Sequence, residues 1–349
     1  MRFNKITKMI TMLTAAAAVA LSVPAEDVLA EETVASVYTN EPVSAAQAAT
    51  RPIAVMMPTD AVAQPSYGIS HAKILYEIME EGNISRQLAV IDDWQGLSKI
   101  GNIRSCRAYY IPEATEWDPI LVHFGGVVYM KDRITMPDIN NLSGTYEYGV
   151  GGEAPGAGQF FRSTDRKAPH NAYISASGIT KAAGQLGYSL NVRPEYYNAK
   201  HFTFAQGVNT LEQYGEAART ANNINLAGIF PYTKSAFTYD AATGLYKKSI
   251  HGKPQVDGAN GQQIAFANVI VQYTNWQKLD QKGYLSFQNI DNTSDGYYFT
   301  KGKAIHVRWA KTADYAPTVY YDDNGNEIQM NTGKTYIAVA QKGRTISFS

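Results

Sequence analysis

The pattern of apolar residues changes near Leu226, and this change limits the chain to a two-part architecture. Before Leu226, short apolar runs typical of buried strands alternate with stretches at the three- and four-residue spacing of amphipathic helices. After it, β-rich runs alternate with tight turns, and the run at residues 318–330 turns at Asn324-Gly325, the strongest short hairpin signal. We therefore predict an α+β protein. Its N-terminal α/β layer should have a mostly parallel sheet, and its C-terminal part should be a mainly antiparallel sheet or a partly closed barrel.

The 349 residues divide into four predicted segments. These are a secretory signal at 1–30, a flexible tether at 31–50, an α/β domain at 51–222 and a mainly β domain at 223–349. The signal combines basic residues with an alanine-rich apolar run, and cleavage after Ala25 and cleavage after Ala30 both stay open. The tether is polar and small-residue-rich, without a clear period.

A cleaved signal predicts a secreted or extracytoplasmic protein, with attachment to the cell wall as an open alternative. The apolar run is short for a bilayer span, so no transmembrane segment is expected after cleavage. Cys106 is the one cysteine, and it lies far from the signal, so neither an N-terminal lipid anchor nor an internal disulfide is expected. Acidic and basic side chains balance at 31 each, which argues against a nucleic-acid partner. The oligomeric state stays open.

The elements of the first half are predicted to bring polar residues to one sheet edge. The three strands of a strand–helix–strand–helix–strand run should be parallel, so the loops that follow them open onto a shared edge. Arg104, Ser105 and His123 are predicted to converge at this edge, and Asp60 lies in the first of the loops that open onto it. The predicted strands are residues 53–57, 85–92 and 119–124; the predicted helices are 70–81, the segment after Ser105, 178–186 and 211–221.

Arg104, Ser105 and Arg107 are predicted to form an anion site at the start of a helix. Ser105 is a suitable N-cap, and the free backbone N–H groups of a helix start favour a phosphate or carboxylate. Guanidinium groups add bidentate hydrogen bonds. The open alternative is that both arginines form structural ion pairs with Glu77, Glu81 or Asp92.

Two histidines are candidates for ligand contact or for general acid–base catalysis. His123 ends a predicted strand and precedes Gly125 and Gly126, which would let a ligand approach closely. His170 lies in a loop next to Asn171. The alternatives are a hydrogen-bonded core histidine for His123 and a merely exposed side chain for His170. The spacing of possible ligands indicates no metal site, and no cofactor is predicted.

The complete predicted ligand-binding set is Arg104, Ser105, Arg107, His123, Gly125, Gly126, His170, Asn171, Asp60 and Glu77.

Several stretches, in order along the chain, resemble the YerB-like family of bacterial envelope proteins. In the first half these are Arg51-Pro52-Ile53-Ala54-Val55-Met56, Tyr76-Glu77, Glu81-Gly82, Ile103-Arg104-Ser105-Cys106-Arg107, Val122-His123-Phe124-Gly125-Gly126 and Pro169-His170-Asn171. In the second half they are Gly252-Lys253-Pro254-Gln255-Val256-Asp257, Asn268-Val269-Ile270-Val271, and Trp309 followed by Lys311. The resemblance implies two domains and an envelope location, without an established activity. The chain departs from the family pattern in lacking a lipid-bearing cysteine and in having Gln255 where a histidine is expected.

The leading functional hypothesis is a secreted or wall-associated protein that binds an anionic or glycan-like envelope ligand, or a protein partner, in an Arg/His cleft. The alternative is a hydrolase or transferase of phosphate or glycan bonds, with His123 or His170 as the acid/base. A structural envelope protein with internally paired arginines is the third class.

Overall fold

The structure is a computed structural model that describes residues 33–145 and 154–349. The predicted signal and the glycines at 149–152 lie outside the described residues. Within the described part, no helix is long and apolar enough to cross a membrane.

Strands account for most of the regular structure. The strands of the first half are β1 (Thr33–Ala35), β2 (Pro42–Ser44), β3 (Ile53–Pro58), β4 (Ile74–Met79), β5 (Ser85–Ile91), β6 (Ile100–Gly101), β7 (Ile120–His123), β8 (Asn141–Ser143), β9 (Phe161–Arg162) and β10 (Ala172–Ile174). Those of the second half are β11 (Arg219–Thr220), β12 (Asn223–Asn225), β13 (Ala236–Asp240), β14 (Leu245–Ile250), β15 (Lys253–Pro254), β16 (Ala265–Phe266), β17 (Asn268–Thr274), β18 (Trp276–Lys278), β19 (Leu285–Phe287), β20 (Asn292–Thr300), β21 (Lys303–Lys311), β22 (Val319–Tyr321), β23 (Thr335–Gln341) and β24 (Ser347–Phe348).

Helices are short, and they flank the strands. The α-helices are α1 (Ala45–Ala48), α2 (Ile111–Thr115), α3 (Lys131–Ile134) and α4 (Ala176–Leu186). Single 3₁₀ segments lie at Ala61–Ala63, Ile69–His71, Glu81–Asn83, Ala108–Tyr110, Val128–Met130, Ala157–Gln159 and Glu212–Ala217.

The main sheet runs through both halves of the chain, in the order β11-β21-β20-β17-β23-β4-β5-β3-β7-β8, with β22 beside β21. Its two halves join where β23 pairs in parallel with β4. The α+β class is confirmed, and the C-terminal strands β17, β20 and β21 are antiparallel neighbours. The N-terminal part is mixed: β3, β7 and β8 are parallel, whereas β5 runs antiparallel to both β3 and β4. The prediction that the first three strands all run parallel is therefore wrong in the case of residues 85–92.

The segment predicted as a helix at residues 70–81 is strand β4. Every residue of β4 is buried, because strands pair with it on both edges and side chains cover both of its faces. Two-sided burial removes the polar alternation that would have indicated a strand, and an apolar run can match a helical spacing by chance.

The helix predicted after Ser105 is confirmed only in its later part. It consists of the 3₁₀ segment Ala108–Tyr110 and the short helix α2, and Ser105 is not its N-cap. The helix predicted at 178–186 is confirmed as α4, which ends at Gly187 with a φ of 72°. The weaker helix predicted at 211–221 is the 3₁₀ segment Glu212–Ala217.

Local turn chemistry predicted the C-terminal hairpins well. β13 and β14 pair over residues 236–249, and β20 and β21 pair around a turn at Lys301-Gly302. The turn at Asn324-Gly325 is present, but its flanks form a single bridge between Tyr321 and Glu327. β12 to β16 and β24 form a second sheet.

Residues 33–48, predicted to belong to a flexible tether, instead form β1, β2 and α1. Tyr38 explains this order, because its ring is buried and lies 5.4 Å from the ring of Trp117. The predicted boundary at 222/223 coincides with the start of β12. The main sheet nevertheless joins strands from both sides of this position, and the division into domains at 222/223 stays a prediction.

Candidate functional site

Arg104 and Ser105 lie in an extended segment between the ends of β3 and β7. The Arg104 N–H donates to Met56 O at 2.9 Å, and Phe124 N–H donates to Arg104 O at 2.9 Å. The Ser105 hydroxyl donates to Phe124 O at 3.1 Å, so this side chain ties two segments together. The segment therefore bridges β3 and the residue after β7, and these hydrogen bonds fix the main chain of Arg104.

Arg104 contacts His170 directly. The guanidinium Nη1 lies 2.9 Å from His170 Nδ1, and both side chains are half-buried. A guanidinium can only donate, so Nδ1 must be unprotonated and the ring proton must lie on Nε2. Burial, and then the charge of Arg104, lowers the pKa of His170, which favours this neutral ring. Although 66 positions separate the two residues, the structure brings them together as the sequence predicted.

Asp60 completes this small cluster. The negative charge of its carboxylate raises the pKa of both Arg104 and His170. Burial and the charges of neighbouring arginines lower each of these pKa values by more. It does not form an ion pair with Arg104, because no carboxylate of residues 33–145 and 154–349 lies within 4.0 Å of that guanidinium. Arg104 also has a lowered pKa, caused by burial and then by the nearby charge of Arg86. We call Asp60, Arg104 and His170 the Arg104 cluster.

Arg107 is paired, as the alternative interpretation of the sequence foresaw. Its guanidinium binds both carboxylate oxygens of Glu81, and it lies 3.4 Å from Glu80. Glu80 also pairs at 2.8 Å with Arg86. Burial raises the pKa of Glu80 in spite of these two arginines. Arg107 therefore helps to hold the fold, and Glu81 is its partner.

His123 is fully buried at the end of β7. Its Nδ1 lies 2.9 Å from Gly125 O, and its Nε2 lies 3.2 Å from Asn141 Oδ1. Gly125 has a φ of 76°, and a Cβ there would come within 2.8 Å of Thr145. These contacts correspond to the alternative of a hydrogen-bonded core histidine. Gly126 is buried beside them.

Asn171 closes the loop that carries His170. Its Oδ1 accepts from Arg162 at 2.8 Å, and its Nδ2 donates to Ser163 O at 2.8 Å. Sequence reasoning missed Asn102, whose amide donates both to His170 O at 2.8 Å and to Ala63 O at 2.9 Å. No sequence motif marks Asn102, because its role depends on two loops that meet only in the fold.

Glu77, a member of the predicted ligand-binding set, lies in a different cluster, away from the arginines with which the open alternative paired it. It is fully buried on β4 and accepts from the ammonium of Lys248 at 3.1 Å, as well as from the hydroxyls of Ser85, Ser235 and Tyr336. Burial alone would raise the pKa of Glu77, but Lys248 and these hydroxyls outweigh it and hold the pKa below its ordinary value. We call these residues the Glu77 cluster. It joins β4 of the main sheet to β14 of the second sheet.

Within the described part of the chain, no group of three or more His, Cys, Asp or Glu side chains is placed to hold a metal ion. Cys106 is buried in the first turn after the Arg104 segment.

The fold and the Arg104 cluster define a two-part α+β protein with a half-buried contact between an arginine and a histidine. The profile of the "Protein of unknown function (DUF3048) N-terminal domain" matches residues 38–189, and that of the DUF3048 C-terminal domain matches residues 228–337. The chain belongs to this two-part family, and the YerB-like resemblance is confirmed.

Two known proteins support the assignment. "Putative lipoprotein YerB" of Bacillus subtilis (strain 168) is 28% identical over 289 residues, which cover 83% of this chain and 81% of the relative. The crystal structure of YerB from Bacillus subtilis has a TM-score of 0.73 at 23% identity and covers 90% of this chain and 99% of that chain, which establishes a shared fold. Because the relative is described as a lipoprotein, the comparison gives no support to the prediction that this chain is not lipid-anchored.

Proposed function

We propose that this protein is an extracytoplasmic, envelope-associated binding protein that holds an anionic group of its ligand at the Arg104 cluster. One observation carries the proposal: Arg104 has no carboxylate partner within 4.0 Å among the described residues, whereas its neighbours Arg86 and Arg107 are both paired. An unpaired, half-buried guanidinium is a ready site for a phosphate or carboxylate. The envelope location is supported by the name of the Bacillus subtilis relative.

The chemistry of the cluster favours a single negative charge on the ligand. Arg104 keeps donors in addition to the one that points at His170 Nδ1. The ring proton of His170 lies on Nε2 and can donate to a second oxygen of the same group. Asp60 places one negative charge nearby, so a monoanionic phosphodiester or carboxylate suits the site better than a dianion does. An acidic sugar or a phosphodiester-linked polyol of the envelope presents such a group.

Titration calorimetry with two anionic probes and one neutral probe tests the proposal. The probes are a glycerol phosphodiester oligomer, a muramic-acid disaccharide that carries a carboxylate, and an uncharged disaccharide of the same size. Wild-type protein should bind one of the anionic probes, and Arg104→Met should weaken that binding by at least about tenfold, the worth of one charge-assisted hydrogen bond. The neutral probe should not respond to this substitution.

Arg308→Met is the matched control. Arg308 lies on β21 with 65% of its side chain exposed, and it is 4.0 Å from Asp295, so this variant removes an arginine without touching the Arg104 cluster. Binding should match the wild type. Equal losses in Arg104→Met and Arg308→Met would mean that anions bind through general surface charge, and the proposal would fail. Wild-type protein that binds neither anionic probe would also refute it.

A further inference from the structure

Lys334 lines a second pocket, which is unrelated to the Arg104 cluster. The pocket has a volume of about 200 Å³ and is partly open to solvent. Its walls include Ile69, Ala72, Ile264 and Phe266, all of which are buried core residues. Polar residues, among them Glu41, Ser70 and Gln262, also line it, so the pocket offers apolar walls beside polar groups that include one lysine.

The backbone around Lys334 is held tightly. Gly333, just before it, has a φ of 125°, and a Cβ at this position would lie 2.8 Å from the Cβ of Ala267. The N–H groups of Ala267 and Asn268 both donate to Lys334 O, at 3.0 Å and 3.2 Å. The position of the lysine in the pocket is thus set by the main chain at the start of β23.

The ammonium of Lys334 has no acidic partner. It donates to the carbonyl of Ser70, and no carboxylate of the described residues lies within 4.0 Å of it. The nearby acids are already engaged, because Lys73 lies 3.5 Å from Asp92 and 3.2 Å from Asp93. Burial, and then the charge of Lys73, lowers the pKa of Lys334, although the carboxylates of Asp93, Glu41 and Asp92 act in the opposite direction. An ammonium has three donors, so two remain for a ligand.

We infer that this pocket binds an amphiphilic monoanion, in which a carboxylate meets Lys334 and an aliphatic chain lies against the apolar walls. Charge complementarity selects the head group, since a partly apolar pocket that holds an ammonium without a carboxylate within 4.0 Å among the described residues gains most from one negative charge. Glu41, an exposed residue at the pocket, disfavours a second negative charge on the ligand. The inference concerns a site separate from the Arg104 cluster, so either can fail without the other.

The test uses the whole protein and three eight-carbon probes: octanoate, octan-1-ol and octanedioate. Octanoate should bind at least about tenfold more tightly than either of the others. Its affinity should rise about fourfold for each methylene added between hexanoate and octanoate, as the transfer of methylenes to an apolar site predicts. Binding is measured by titration calorimetry below the micelle concentration of each probe.

Three variants separate charge from shape. Lys334→Met keeps the length of the side chain and should remove the preference for octanoate over octan-1-ol. Lys301→Met is the matched control, since Lys301 also donates to a backbone carbonyl, that of Gly244 at 3.4 Å, but lies on the β20–β21 turn; it should bind as the wild type does. Ala265→Trp should fill the pocket and abolish binding of both probes while Lys334 is kept.

The inference is overturned by any of three results. These are wild-type protein that binds octanoate and octan-1-ol equally, octanoate binding that persists in Lys334→Met, and wild-type protein that does not bind octanoate. If Lys334→Met does not fold, the inference is tested with Ala265→Trp and with the preference for octanoate over octanedioate. Glu41→Gln should reduce that preference.

Discussion

The Glu77 cluster and the Arg104 cluster are both assembled from distant chain segments, but they differ in how their charges are matched. Both oxygens of Glu77 accept hydrogen bonds, and the buried ammonium of Lys248 neutralises the carboxylate. Arg104 instead faces a neutral imidazole and remains half-buried. Burying an unmatched charge is costly, so unmatched charges persist where water or a ligand can reach them. The first cluster therefore holds the fold together, whereas the second is the proposed anion site.

Lys248→Met should have the largest effect, because it leaves the Glu77 carboxylate buried without its cation. Removing one partner of a buried ion pair costs about 3–5 kcal/mol of unfolding free energy. Lys248 and Glu77 both have side chains of 0% exposure, so water cannot compensate for the loss. Chemical denaturation followed by circular dichroism measures the change.

A double variant shows whether charge matching is the cause. Glu77→Gln combined with Lys248→Met removes both charges and should be more stable than Lys248→Met alone, because no unpaired ion is left in the core. A double variant that is no more stable than the single one would show that the cluster matters for its packing, and the contrast with Arg104 would lose its basis.

Replacing each of two neighbouring arginines by methionine sharpens the comparison. Arg107→Met should lower the free energy of unfolding by about 2–3 kcal/mol. It removes charged hydrogen bonds to Glu81 and reduces the positive charge near Glu80. Arg104→Met should cost less than about 1 kcal/mol, since no carboxylate of the described residues loses a partner. Thermal and urea unfolding of the two variants measures the difference between their losses of stability. Equal losses would mean that Arg104 is as structural as Arg107.

The sequence predicted structure best where the determinants are local. The β13–β14 hairpin, the β20–β21 hairpin and helix α4 with its stop at Gly187 follow from turn and cap residues a few positions apart. β4 was mistaken for a helix because both of its faces are buried, and its edges pair with β5 and with β23, which lies at the far end of the chain. Alternation of polar and apolar residues indicates a strand when one of its faces is buried, and both faces of β4 are buried.

The same distinction applies to the candidate site. Placing loops at one sheet edge predicted that Arg104, Ser105 and His123 would converge, whereas the observed contact of Arg104 with His170 did not follow from that argument. The sequence could not decide whether Arg107 pairs with Glu81, because an acidic residue near an arginine is as common in a structural ion pair as beside a ligand site. Lys248 as the partner of Glu77 was not foreseeable, since the pair joins two sheets. Long-range charge matching is set by the packed fold and leaves no local pattern.

The smallest expected effect concerns the proton of His170. Burial and Arg104 lower its pKa, so the folded protein binds fewer protons here than the unfolded chain does. The stability linked to this group is fully present above the unfolded pKa of about 6.5 and is lost as the pH falls through the lower folded pKa. Arg104→Met removes the largest charge effect on His170 and should move its titration midpoint upward.

The midpoint is measured from the ring Cε1–H chemical shift by NMR between about pH 4 and 8, the range around the ordinary histidine pKa. The signal is assigned with His170→Asn. The ring signal of His306, whose Nδ1 lies 2.6 Å from Asp323, serves as the internal control because this residue lies outside the Arg104 cluster. A His170 midpoint that stays in place would mean that the guanidinium does not act on the ring. In that case Arg104 would not be the positive end of an anion site, and its lack of a carboxylate partner would have to be attributed to solvent alone.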